Sequence, residues 1–146
     1  MTTGIELINK ERERQIKQEG WTKEHDMQHI GEELANAAAT YAMAPSCREA
    51  LTNLVGDCKM TGIPPTWPWD DEWYKPTPND RIRELVKAGA LIAAEIDRLL
   101  EKKKIDELLE KIDKPQGMSD KQYDIMIKHL QKQIEKNYVK KDQITS

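Results

Sequence analysis

RELVKAGALIAAEIDRLL, residues 83–100, sets the architecture expected of the whole chain. Its apolar side chains belong to a series running through Ile82, Leu85, Val86, Ile92, Ile96, Leu99 and Leu100, at mostly three- and four-residue steps. That is the rhythm of an α-helix with one face turned to a core. Among them lie Ala88, Gly89, Ala90, Ala93 and Ala94, small enough to let a second helix backbone come close. A matching set occurs at Ala35, Ala37, Ala38, Ala39, Ala42 and Ala44, so these two segments are expected to pack on each other. No stretch sustains the two-residue alternation of a strand. The expectation is an all-α helical bundle of four to six helices.

Helix starts are marked by Thr or Ser followed three residues later by Glu or Gln, a pair that satisfies free amides of the first turn. Thr3 with Glu6, Ser46 with Glu49 and Ser119 with Gln122 fit this pattern. Thr22 precedes KEHD, and Thr77 with Pro78 precedes the long helix, with Asp80 placed to favour its positive end. Gly20 is expected to stop the first helix and Pro45 the second, and five of the seven prolines fall between Gly62 and Pro78. Beyond Leu100 the composition becomes strongly charged. Ile105, Leu108, Leu109 and Ile112 form one stripe there, and Tyr123, Ile127, Leu130, Ile134 and Tyr138 another, separated by KPQG. The division expected is a helical body over 1–100 and a charged C-terminal helical hairpin extension over 101–146, suited to oligomerisation.

The chain has 146 residues, a net charge of -3, and 34% charged against 38% hydrophobic residues. One domain with an extension fits that size. The charge balance carries no strong nucleic-acid signal, and no apolar run is long enough for a signal peptide or membrane span, so a cytoplasmic location is expected. Cys47 and Cys58 read as free thiols, about 16 Å apart along one helix.

Residues 24–42, EHDMQHIGEELANAAATYA, concentrate the candidate chemistry. Read as one helix, they put His25, His29, Glu32 and Glu33 on a single face. His25, His29 and Glu33 are therefore candidate metal ligands, for Mg or Mn if any, while Glu24 to Asp26 read as a solvated helix start. HDMQH also echoes the zincin motif, with Asp26 in place of the glutamate base and no third ligand. Arg12, Arg14 and Lys17 on the first helix, with Lys75, Arg81, Arg83 and Lys87 near the long one, are either solvated surface or a phosphate site. Arg12 and Arg83 flank apolar stripes and are the first to consider. Trp21, Trp67, Trp69 and Trp73 all fall in connecting segments, where they either plug the bundle or stack on a base.

The segments ERERQIKQEGWTKEHDMQH, EELANAAATYA, WPWDDEWYKPTPNDR and RELVKAGALIAAEIDRL, in that order, resemble a widespread family of small phage- and prophage-encoded proteins. That resemblance implies an accessory protein working inside a bacterial host cell. A looser likeness is to the all-α nucleoside triphosphate pyrophosphohydrolases of the MazG type, which hold magnesium with EExxE on one helix and ExxD on a later one. Glu32 and Glu33 match the pair, but Asn36 stands at the third acid, and Glu84 is followed by Lys87 where the last acid belongs. A lysine there disfavours the hard cation and suits a phosphate instead.

The function expected is binding, without turnover, of a small phosphorylated nucleotide ligand between the second and the long helix. Glu32, Glu33, Glu84, Lys87, His25, His29, Arg12 and Arg83 would line that cleft, with Trp69 or Trp73 stacking on the base. In a phage setting this would sequester a host signalling nucleotide, a counter-defence role. The alternatives are a divalent-metal-dependent pyrophosphohydrolase and a protein-binding inhibitor of a host factor.

Overall fold

The computed structural model describes residues 1–55 and 62–145, the last seven of these by their backbone alone. Among the described residues there are six α-helices and no strand. They are α1 (Gly4–Glu19), α2 (Lys23–Asp26), α3 (Glu33–Ala42), α4 (Pro45–Val55), α5 (Arg81–Glu110) and α6 (Asp120–Thr145), with one 3₁₀ turn at Asp71–Trp73 before α5. None of these helices is long and apolar enough to cross a membrane.

Local chemistry explains most boundaries. Thr3 and Glu6 form the reciprocal box at α1, with the Thr3 amide donating to Glu6 Oε2 at 2.8 Å. Ser119 and Gln122 do the same for α6. Gly20 closes α1 at φ +73, a left-handed conformation that costs glycine little. The starts of α4 and α5 differ from expectation. Pro45 does not end a helix but opens α4, at the first helical position where its missing N–H costs nothing. The Arg48 amide there bonds Ala44 O, so Ser46 lies inside the helix. The long helix begins at Arg81, not Pro78, because the Asp80 side chain accepts the Arg83 amide at 3.0 Å.

The alanine-rich α3 packs on α5 as expected. Ala37, Ala38, Ala88 and Ala94 are buried there with Leu34, Tyr41, Trp67 and Leu91. The face that α5 turns inward is nevertheless not its large apolar stripe. Of Ile82, Leu85, Val86, Ile92, Ile96, Leu99 and Leu100, only Val86 is buried. The inner face carries small residues and paired charges instead. Arg98 and Glu95 bond each other at 2.7 and 2.9 Å, and Glu84 is wholly enclosed. Close backbone approach selects for small side chains, and a buried ion is tolerated where its partners are built in.

Arg48 of α4 donates to both Glu84 oxygens, at 2.8 and 2.7 Å. The Thr77 amide at 3.1 Å and Arg81 at 3.2 Å complete the carboxylate's shell. Arg81 also donates to the Tyr41 and Met43 carbonyls at 3.0 Å and to Ala42 O, covering the C-terminal end of α3 where a cation is favoured. Arg81 is therefore a structural residue, not solvated surface.

The composition shift at residue 100 falls inside α5, which continues unbroken to Glu110. The expected hairpin with α6 is present, and it docks back onto the body. Met27, Ile105 and Leu109 form a second core, covered by Ile112, Ile127, Leu130, Ile134 and Tyr138. Tyr138 donates to Glu101 at 2.8 Å, and Lys23 reaches the same carboxylate at 3.2 Å. Cys47 is exposed and free, and Cys58 lies outside the described residues.

Candidate functional site

The segment expected to be one helix from Thr22 to Pro45 is two. Thr22 accepts the His25 amide and starts α2, which lasts a single turn. The chain then turns through 27–32, with Glu32 in the left-handed region at φ +62 before α3 begins. His25, His29, Glu32 and Glu33 therefore do not share a helix face. The two histidine rings do meet, edge to face, with centroids 5.0 Å apart. Asp26 is not at a solvated start, since it is 2% exposed and bound to the Arg12 guanidinium. Arg12 also donates to Trp21 O at 3.2 Å, so it clamps α1 to α2 and does not face a phosphate. Glu33 accepts the Gly31 amide at 2.8 Å, and Glu32 is exposed. Among the described residues no three His, Cys, Asp or Glu side chains converge as a metal site. Glu84, the acid matched to the later magnesium motif, has both oxygens engaged by Arg48, so the donors of that motif do not fit the ion here.

The aromatic loop supplies what the acids do not. Trp67 is a core plug, packed edge-on to Tyr41 at 5.6 Å, and its Nε1 donates to Asp70 O at 3.2 Å. Trp69 stands against Trp21 at 6.2 Å and His29 at 5.3 Å. Trp73, on the 3₁₀ turn, is 50% exposed. Trp21, His25, His29, Leu34, Trp69 and Trp73 enclose much of a chamber of about 490 Å³. Trp67 thus plugs the core, and Trp21, Trp69 and Trp73 line the cavity.

A second chamber of about 280 Å³ shares the wall of Glu19, Trp21, Trp69 and Trp73. Its charged lining comprises Arg14, Lys75, Arg83 and Lys87 against Glu11 and Glu19, an excess of two positive charges in a chain whose net charge is -3. Arg14 grips Glu11 through two bonds of 3.0 and 2.8 Å and Glu19 through a third of 2.8 Å, and Arg83 reaches Glu11 at 2.7 Å. Burial works to raise the Glu11 carboxyl, but the Arg14 hydrogen bond and the charges of Arg83 and Arg14 outweigh it and hold the group below the carboxylate norm. Lys87 donates to Lys75 O at 2.6 Å and lies 5.3 Å over the Tyr41 ring. Burial, then the neighbouring Arg83, pushes its ammonium below the ordinary lysine range. Lys75 sits 5.8 Å over Trp73, on the shared wall. Gln15 Oε1 and Trp69 Nε1 are buried beside this chamber without a hydrogen-bond partner, a costly state for both.

His29 gives the first chamber a measurable signature. Burial, then the nearby His25, lowers its pKa from the ordinary 6.5, and together with Arg98 these outweigh the opposing charges of Glu33 and Asp26. The unfolded chain therefore takes up this proton first, and stability falls as pH drops from 6.5 toward the lower folded value. In denaturant titrations across that range, His29→Asn is expected to flatten the pH dependence relative to the parent. An unchanged slope would count against a buried, neutral His29.

Of the residues chosen from sequence, Lys87, Arg83, Trp69 and Trp73 line the second chamber, and His25, His29, Trp69 and Trp73 the first. Glu84, Glu32, Glu33 and Arg12 line neither. Glu11, Gln15, Glu19 and Tyr41 were not anticipated. The available signal was the row Glu11, Gln15 and Glu19 at four-residue steps on a helix with too few apolar residues to bury a greasy face. Comparison with family models, curated proteins and solved structures gives no match.

Proposed function

We propose that the chain binds a small phosphorylated nucleotide in this two-chambered cleft and does not turn it over. One observation carries the reading: an aromatic chamber abuts a chamber with excess positive charge, in a protein that is acidic as a whole. A base has the flat π faces that Trp69 and Trp73 can stack on, and its phosphates complement Arg14, Arg83 and Lys87. The absence of turnover is supported by the engagement of Glu84 with Arg48 and of Asp26 with Arg12, which leaves neither acid available for hydrolysis. In the phage setting that the sequence resemblance implies, such binding would sequester a host signalling nucleotide.

The test is a thermal-shift screen against nucleoside phosphates, cyclic dinucleotides and ADP-ribose, with and without Mg or Mn, followed by chromatography of the ligand. A ligand selective for the folded state raises Tm by mass action. The expected result is a shift with the ligand recovered intact. Lys87→Glu should weaken binding at least about tenfold, roughly 1.4 kcal/mol. Trp73→Ala, at an exposed position, should cost about 1–3 kcal/mol of binding through lost stacking. Metal-dependent release of product would replace this reading with the hydrolase, and no shift with any nucleotide would end it.

A further inference from the structure

Two residues on the wall of the charged chamber, Gln15 and Trp69, each keep a buried polar atom that nothing in the protein satisfies. Gln15 is only 2% exposed, and its amide has a fixed orientation. Its Nε2 donates to Glu11 Oε1 at 3.4 Å, and Arg14 holds that same carboxylate oxygen at 2.8 Å. Turning the amide over would set Oε1 against the carboxylate, oxygen to oxygen. The atom left over is therefore Oε1, an acceptor. The atom left over on Trp69 is Nε1, whose N–H can only donate. Each costs stability for as long as it is unmet, so a ligand that supplies both partners recovers that cost on binding.

The place of the two atoms and their chemistry select the same part of a nucleotide. Trp69 lines both chambers and Gln15 the charged one, so the pair stands where the chambers share a wall. A phosphate does not suit Gln15, because an ionised phosphate among Arg14, Arg83 and Lys87 offers only acceptors to a carbonyl that is itself an acceptor. A base stacked in the aromatic chamber does not suit it either, since Gln15 is not part of that lining. Between base and phosphates a nucleotide carries its sugar, and a hydroxyl both donates and accepts. Its O–H can donate to Gln15 Oε1 while hydroxyl oxygen accepts from Trp69 Nε1. Resting on the nucleotide reading above, we propose that Gln15 and Trp69 recognise the sugar hydroxyls, so that the ligand is a ribonucleotide and the dideoxy form is rejected.

The test is calorimetric titration of the full chain with ATP, GTP, CTP and UTP and with the 2′,3′-dideoxy form of each. A site that pairs with a hydroxyl is left with unmet polar atoms by the analogue lacking it, so the ribose form should bind at least about tenfold more tightly. Gln15→Met keeps the length of the side chain and removes the acceptor. In that variant the ribose form should bind no better than its dideoxy counterpart. The free variant should melt no lower than the parent, because it gives up an unmet oxygen and one long bond to Glu11. Should it fail to fold, the sugar comparison on the parent decides alone. Equal affinity for the two sugar forms overturns this inference and leaves the nucleotide reading standing. So does a Gln15→Met chain that keeps the full preference for ribose. No binding of any nucleotide in either sugar form overturns both, so the two failures are told apart.

Discussion

Glu84→Ala lowers the stability of the chain by about 3–5 kcal/mol, the cost of leaving a buried ion without its partner. The Arg48 side chain is 6% exposed and that of Glu84 0%, so neither can turn to water when the other is removed. The same carboxylate holds the Thr77 amide and Arg81, so its loss also frees the end of the proline-rich loop and loosens the guanidinium that covers α3. Arg48→Met should cost less, because Glu84 keeps Arg81 at 3.2 Å and the Thr77 amide at 3.1 Å. Urea titrations of both variants measure that order, and a melting point lowered by roughly 10 °C is expected for Glu84→Ala. Equal and small losses from the two would mean that the pair is not the junction of α4, α5 and the loop. The pair also accounts for the failure of Glu84 as a ligand residue.

Trp67→Ala is the second large effect, about 3–5 kcal/mol for emptying the site of a buried indole. Trp67 is 9% exposed and lies among Tyr41, Trp69 and Tyr74 at 5.6, 5.3 and 5.2 Å between ring centroids. Its loss removes the wedge between the loop and α3, and with it the support of Trp69 in both chambers. Trp67→Phe should recover most of the stability, forfeiting the Nε1 bond to Asp70 O. Trp73→Ala, at a half-exposed position, should leave the melting temperature nearly unchanged. Melting curves followed by near-ultraviolet circular dichroism separate these outcomes, and similar losses for Trp67→Ala and Trp73→Ala would contradict the assignment of plug and rim.

Much of this was legible before any coordinates. Caps are local, so Thr3 with Glu6, Thr22, Ser119 with Gln122 and Gly20 each mark a boundary that the structure keeps. Small residues at helical spacing on two segments sufficed to pair α3 with α5. Lys87, Arg83, Trp69 and Trp73, chosen for their chemistry, line the second chamber. The acids were misread because a carboxylate's role depends on who reaches it, and the arginine partners are distant in sequence. Arg48 lies 36 positions from Glu84, and Arg12 lies 14 from Asp26.

Helical content, the punctuation of the helices and the alanine pairing follow from the order of residues, since each depends on neighbours within a turn or two or on side-chain size alone. The direction in which α5 faces does not. A hydrophobic stripe says that a surface will leave water, not which partner will cover it, and within this chain the small face of α5 was the one α3 could reach. The break at residues 27–32 and the meeting of α1, the tryptophan loop and α5 around two chambers were likewise settled by packing across the chain, where long-range contacts outweigh local preference.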